Sequence, residues 1–405
     1  MSDAAIRTLS VFDPIIESIA ASAVDRERDR TLPHAEVRAL RDAGFGALRV
    51  PREFGGWGIS LEELFRLLIR LGEADSNLPQ LLRGHIAFIE TQLALPESAQ
   101  RTHWLTQIAS GEILFGNAQA EAGGSSTPTT FLAETDGRVI LNGKKFYSTG
   151  SIYADWIWSG GDYNGQSVAF AVRADAPGVT RLDDWDGFGQ RLTGSGTTIF
   201  ENVEIEPAHV LPWTDNDGHR SLAYTQGLYQ LILLSALAGI AGAVQRDAVE
   251  FTRPRTRTFG IPGNSSPRDE PLVQRIVGRI ASTRFAVEAT VLEAVRRLEQ
   301  ADQTRYNDDR DDAHYYTALA AIFEAQQSVI PAVLDSASLL FEVGGASAVS
   351  VHRQLDRHWR NARTISSHNP AAYRERAIGD FYLNGTLPKS LQHLVDNSAR
   401  GSRAE

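Results

Sequence analysis

Val139-Ile140-Leu141-Asn142-Gly143-Lys144 is the run on which the fold turns. It is short, rich in β-branched and apolar residues, and reads as a strand. Val168 to Val172 reads the same way, as does Thr197-Thr198-Ile199-Phe200 ahead of Glu201-Asn202-Val203. From Ile113 to about Pro212 such runs alternate with Gly, Asn and Asp breaks. No helical pattern interrupts them, so an all-β segment of about a hundred residues is expected.

Helical patterns lie on both sides. Before it, Leu32 to Ala43 has helical spacing and stops at Gly44. Ser60-Leu61-Glu62-Glu63 forms a capping box ahead of Leu64 to Leu71. Pro79 and Pro96 fit the first turns of two further helices, and residues 49–60 are a Gly-rich connection. After it, a helix is expected from about Ser221 to Phe251, with small residues that permit close helix approach. A second starts at Asp269-Glu270-Pro271 and reaches about Asp302. A third runs from about Asp311 to Val343, with Pro331 as a kink and Gly344-Gly345 as its end. A fourth contains Arg357, Arg360 and Arg363. The expected layout is an α-helical segment over residues 1–112, a β-domain over 113–218 and a helical bundle over 219–405, an α+β fold.

The 405 residues suffice for two or three domains. The formal net charge of -10 argues against general nucleic-acid binding. Zero cysteines exclude disulfides, thiolate catalysis and Cys-ligated metals. There is no compact His/Asp/Glu metal motif. The N-terminus lacks the apolar core of a signal peptide, and Leu231 to Val244 reads as a buried helix too short for a membrane span. A cytoplasmic enzyme is the default expectation.

Arg357-His358-Trp359-Arg360-Asn361-Ala362-Arg363-Thr364-Ile365-Ser366-Ser367-His368-Asn369-Pro370 carries the most chemistry. Three-residue spacing keeps the arginines on roughly one side of a helix. Such a row suits phosphate or carboxylate, or else is a solvated face with acidic neighbours. His368 stands where the helix must end before Pro370 and fits a proton-handling role.

Taken in order, several stretches resemble the acyl-CoA dehydrogenase superfamily over about residues 13–390. They are Val50-Pro51-Arg52-Glu53-Phe54-Gly55-Gly56-Trp57-Gly58, Phe115 to Glu121 with Gly123-Gly124-Ser125, and Leu141 to Gly150. Arg191 to Thr197, Phe200-Glu201-Asn202-Val203 and Arg257-Thr258-Phe259-Gly260 follow. The resemblance implies an N-terminal helical domain, a central β-barrel domain and a C-terminal four-helix bundle. Dehydrogenases of this superfamily often carry a catalytic glutamate late in the bundle. Here no carboxylate occurs from Asn361 to Ala372. The pattern of Arg357 to Pro370 instead resembles the flavin-dependent monooxygenase branch, the dibenzothiophene and dimethyl sulfone monooxygenase-like proteins. Tyr147 to Trp156, Trp185 to Arg191 and Phe341 to Ala348 resemble that branch too. Where dibenzothiophene monooxygenases have an additional histidine, this chain has Ile365.

The resemblance implies a two-component enzyme that receives reduced FMN, rather than FAD, from a separate NAD(P)H:flavin reductase. Dioxygen would form a flavin C4a-hydroperoxide, and a small, largely apolar sulfur- or nitrogen-containing substrate would be oxygenated. No nicotinamide fingerprint follows a strand at a helix start. By the same resemblance, His368 with Ser148 or Thr149 would protect and protonate the adduct, with His85 near the flavin. A core histidine bonded to a carbonyl is the other reading of His85. Asn117 and Gln119 suit the flavin pyrimidine edge, with Tyr147, Trp185 and Ser195 along the flavin or substrate wall. Arg255, Arg257, Gly344 and Gly345 would meet the FMN phosphate of a neighbouring subunit, in a homotetramer built as a dimer of dimers. Arg357 and Arg360 would instead hold the bundle through ion pairs. The alternatives are an acyl-CoA dehydrogenase-type oxidoreductase and a non-catalytic binding protein on the same fold.

Overall fold

The computed structural model describes residues 9–121, 129–212, 222–256, 266–304 and 313–388. The chain starts with helices α1 (Asp13–Asp29), α2 (His34–Asp42), α3 (Leu61–Ala74), α4 (Asn77–Leu81), α5 (Arg83–Ala94) and α6 (Ala99–Ala109). The expected capping box opens α3: Ser60 Oγ accepts from the Glu63 N–H at 3.1 Å, and Glu63 Oε2 accepts from the Ser60 N–H at 2.8 Å. Pro79 lies in the first turn of α4. Pro96 precedes α6 instead of entering it, because Ser98 takes the N-cap and accepts from the Arg101 N–H.

Eight strands follow: β1 (Phe115–Ala118), β2 (Phe131–Thr135), β3 (Arg138–Lys145), β4 (Trp156–Tyr163), β5 (Gln166–Arg173), β6 (Val179–Arg181), β7 (Thr198–Ile205) and β8 (Val210–Pro212). They form one mixed sheet in the order β6-β7-β3-β2-β4-β5-β8, with β1 parallel to β4. Asn142-Gly143, read as part of a strand, sits at a register shift between Leu141 and Gly143 where β3 pairs with β7. Leu132, Leu141, Ile157, Phe170, Phe200 and Val203 bury against one another and give this layer its own core.

The bundle consists of α7 (Leu222–Thr252), α8 (Pro271–Gln303), α9 (Ala313–Leu339), α10 (Arg357–Ser366) and α11 (Ala371–Asn384). Glu270 caps α8 by accepting from the Val273 N–H at 2.9 Å. α7 matches the expected span of about Ser221 to Phe251, but its apolar stretch is longer than Leu231 to Val244. Ala223–Thr252 is long and apolar enough to cross a membrane, but 94% of its most apolar stretch is buried within the protein. It is the core helix of the bundle. A Cβ on Gly239 of α7 would lie 2.4 Å from the Gly72 carbonyl carbon of α3, so this backbone contact requires glycine.

That contact has a consequence for domain organisation. Phe65 and Leu68 of α3 belong to the same buried cluster as Leu231 and Leu234 of α7, Val295 of α8 and Ile322 of α9. The N-terminal helices and the bundle therefore share one core. Each such side chain contributes about 1.5–3 kcal/mol when fully buried, so neither helical segment would keep its packing alone.

Candidate active site

A cavity of about 710 Å³ opens where the three layers meet. The N-terminal helices supply Gln80 and Arg83. The sheet and its loops supply Asn117, Gln119, Tyr147, Thr149, Trp185, Phe188, Thr193 and Ser195. The bundle supplies Gln226, Tyr229, Thr364, His368, Asn369 and Arg374. None of the described lining residues is a carboxylate.

Local packing fixes this wall. A Cβ on Gly84 would come within 2.7 Å of the Asn117 Cβ, so α5 lies directly against β1. Tyr147 adopts a left-handed φ of 57°, and its ring meets Trp185 edge-on at 5.8 Å. The indole N–H of Trp185 donates to the Gly189 carbonyl at 3.1 Å. Three hydroxyls make a short chain: Thr149 Oγ1 lies 2.9 Å from Ser195 Oγ, which lies 2.7 Å from Thr193 Oγ1. Thr193 then donates to the Gln190 carbonyl at 2.9 Å. A proton can be passed or held along such a line.

His368 occupies the break between α10 and α11 and faces the cavity. Its Nε2 accepts from Arg83 Nη2 at 3.0 Å, and its Nδ1 donates to Asn369 Oδ1 at 3.3 Å. The Arg83 cation, and after it burial of the ring among protein atoms, push the imidazole down to about 3. A neutral imidazole results, with its proton on Nδ1.

The structure brings together seven residues singled out in the sequence: His368, Thr149, Asn117, Gln119, Tyr147, Trp185 and Ser195. Of the two adjacent hydroxyl candidates, Thr149 lines the cavity. Ser148 does not, and its Oγ is buried without a hydrogen-bond partner. His85 is corrected. It is buried away from the cavity, its Nδ1 accepts from the Phe115 N–H at 3.2 Å and its Nε2 donates to the Gly46 carbonyl at 3.0 Å. With both nitrogens committed and burial holding it neutral, with a pKa of about 4, it is the core histidine of the other reading.

The phosphate candidates also lie off this cavity. Arg255 donates to the Val343 carbonyl at 3.3 Å and stacks 4.9 Å from the Phe251 ring centre. Gly344 backs onto Phe251, and neither it nor Gly345 reaches the cavity wall. Arg257 lies outside the described residues. Two members of the arginine row, Arg357 and Arg360, form ion pairs. Arg357 meets Asp247 at 2.7 Å, and Arg360 meets Glu27 and Asp356, each at 2.8 Å. His358 also reaches Asp247, at 2.8 Å. Burial pushes the Asp247 carboxyl up, but His358, Arg357 and Arg246 outweigh it and hold the group well below the usual carboxylate range.

Arg83, Arg374, Gln80, Gln226 and Tyr229 were not legible as site residues. The one signal was Arg83 itself, a lone cation between Leu82 and Gly84 in an apolar stretch.

Comparison with known proteins settles the family. The acyl-CoA dehydrogenase N-terminal domain model matches residues 10–112, and the C-terminal domain model matches residues 231–372. A dibenzothiophene monooxygenase from Rhodococcus qingshengii is 30% identical over 396 residues, covering 92% of each chain. The chain belongs to the flavin-dependent monooxygenase branch of the acyl-CoA dehydrogenase superfamily. Another member of this branch is a probable FMNH2-dependent monooxygenase, SfnC, from Pseudomonas putida, 26% identical over 94% of this chain and 95% of that one. FMN-bound TdsC from Paenibacillus sp. A11-2 superposes with a TM-score of 0.86 at 27% identity, covering 95% of this chain and 98% of TdsC. Methanesulfinate monooxygenase MsuC from Pseudomonas fluorescens gives a TM-score of 0.84 at 27% identity, covering 96% and 98%.

The residues fit a flavin ring, which is flat and apolar on its faces and mixes donors and acceptors along its pyrimidine edge. Tyr147, Trp185 and Tyr229 supply apolar walls, and Asn117, Gln119 and Gln80 supply amides. The Gln80 and Gln190 side-chain oxygens are buried with no hydrogen-bond partner, which leaves acceptor capacity at this wall.

Proposed function

We propose that this chain is the oxygenase of a two-component system, fed with reduced FMN by a separate flavin reductase and acting on a small sulfur- or nitrogen-containing substrate. The chain is a flavin-dependent monooxygenase, and FMN is its cofactor. When bound, the reduced flavin supplies the electrons that activate dioxygen for transfer of one oxygen atom.

One observation carries the reading: the cavity holds a neutral histidine and no carboxylate. Removal of an α-proton in a dehydrogenase needs a base, and the superfamily's usual one is a glutamate. Here the described wall offers His368, kept neutral and only weakly basic by Arg83, and hydroxyls, groups suited to donating or holding a hydrogen bond and not to removing an α-proton. Thr149, with Ser195 and Thr193 behind it, places a hydroxyl donor on the wall. Tyr147, Trp185 and Phe188 give the wall an apolar face that a bound flavin would cover, and the dry contact so formed would suppress loss of reducing equivalents as peroxide. Arg255, Arg257, Gly344 and Gly345 would serve the phosphate of a neighbouring subunit's FMN in a homotetramer. Arg255, Gly344 and Gly345 lie off this chain's own cavity, which agrees with that role. The protein would work in the cytoplasm.

NADH with oxidised FMN should give no turnover with the purified protein. A generic flavin reductase should restore it, and photoreduced FMN should serve equally well. Robust NADH-driven oxygenation by the single component contradicts the two-component reading. Bleaching of bound oxidised flavin by an acyl thioester would favour the dehydrogenase.

A further inference from the structure

The charge of the cavity wall does not balance. Four arginines are buried among the described residues. Arg26 pairs with Glu36 and Asp75, and Arg357 pairs with Asp247. The other two, Arg83 at 6% exposure and Arg374 at 3%, both line the cavity. Among the described residues neither has a carboxylate partner. Arg83 donates to the neutral acceptor His368 Nε2 at 3.0 Å, and its guanidinium lies 5.3 Å from the Tyr229 ring centre. Arg374 Nη1 donates to Gln326 Oε1 at 2.6 Å and to Gln230 Oε1. Both side chains also keep a buried Nε–H without an acceptor. The two cations share one cavity wall with His368, which Arg83 bonds directly.

Buried, uncompensated cations oppose folding unless an anion joins them. Guanidinium groups match planar or pyramidal oxyanions through forked donors. We propose that Arg83 and Arg374 form an oxyanion subsite for the substrate, so that the substrate joins an apolar body to a compact oxyacid group of the sulfinate or carboxylate type. The proposal rests on the cavity being the oxygenation site. It narrows the substrate class from largely apolar to apolar with one fixed negative end. The other anion able to reach these groups is the ring of reduced flavin itself, and the test separates the two.

Flavin-free protein is titrated calorimetrically with benzenesulfinate, benzoate and methyl phenyl sulfone, a neutral molecule of similar bulk. Both anions should bind at least about tenfold tighter than the sulfone, as expected for charge-assisted hydrogen bonds. Arg83→Gln and Arg374→Gln should each remove about that factor for the anions and leave sulfone binding unchanged. Arg83→Lys should recover part of it. FMN affinity, measured in parallel for the oxidised form and anaerobically for the photoreduced form, should be unaffected. Equal binding of anions and sulfone by the wild type, or no binding of either anion, overturns the subsite without any need for a variant. So does loss of FMN affinity in the glutamine variants with anion binding intact, which assigns the arginines to the flavin. Failure of the wild type to bind FMN would overturn the proposed function instead, while the anion titration still reads the subsite.

Discussion

Arg83 Nη2 donates to His368 Nε2 across 3.0 Å, joining the start of α5 to the break between α10 and α11. The pair is separated by 285 residues in sequence, so it forms only when the N-terminal helices dock on the bundle. It also sets the chemistry. A cation against Nε2 disfavours a second proton on the ring, and His368 stays a neutral imidazole that holds its one proton on Nδ1.

His368→Ala should leave FMN binding nearly intact and lower coupled product formation by roughly 100-fold or more, the scale of general acid–base effects. Peroxide release should rise in compensation. Product and peroxide per reduced flavin are the measured quantities. An unchanged product yield would mean that His368 handles no catalytic proton.

Arg83→Met should raise the His368 pKa toward its ordinary value, because the largest depressing influence is the Arg83 charge. Titration of the imidazole Hε1 resonance by NMR reads this directly. If the resonance titrates at the same low pH in the variant, burial and the Arg374 charge set the pKa and the electrostatic account of the pair fails.

Stability should fall in mild acid. His85 and His368 have folded-state values of about 4 and about 3, below the unfolded value near 6.5. Between those limits the unfolded chain binds more protons, so stability rises with pH there. The contribution is fully present above about pH 6.5 and is lost as pH falls toward 4. Denaturant midpoints taken between pH 7 and 4 should decline, and less steeply in His85→Gln. A midpoint independent of pH over that range would contradict the buried neutral state of both rings.

Asp247→Ala should cost about 3–5 kcal/mol of stability, the range for breaking a buried ion pair by removing one partner. It strands Arg357, whose remaining contacts are backbone carbonyls of Arg353 and Gln354. Chemical denaturation gives the value. A loss under 1 kcal/mol would place the Arg357–Asp247 pair among ordinary surface pairs.

The elements were largely legible because each carries a local signal. The Ser60–Glu63 capping box, the Glu270 cap and the period of α7 are contacts within one segment. α11 was missed, since Pro370 and a half-exposed polar face blur its start. The site was legible where one short stretch carries it, as with His368 and Thr149. It was illegible at Arg83 and Arg374, whose meaning lies in what is missing around them. An arginine in a sequence is ordinarily paired or solvated, and only packing shows that these two are neither. The surroundings of His85 were illegible for another reason: its two partners, Gly46 and Phe115, are backbone groups that leave no trace in residue identity.

The central claim is that this cavity protects a reduced flavin while dioxygen reacts there. Mixing the protein and photoreduced FMN with oxygenated buffer in a stopped-flow instrument, without substrate, tests it directly. Oxygen consumption and the return of oxidised flavin absorbance are followed together. The account predicts that oxygen disappears first and oxidised flavin returns after a clear lag, which shortens in His368→Ala. Simultaneous return, at the rate of free FMNH2, would contradict it.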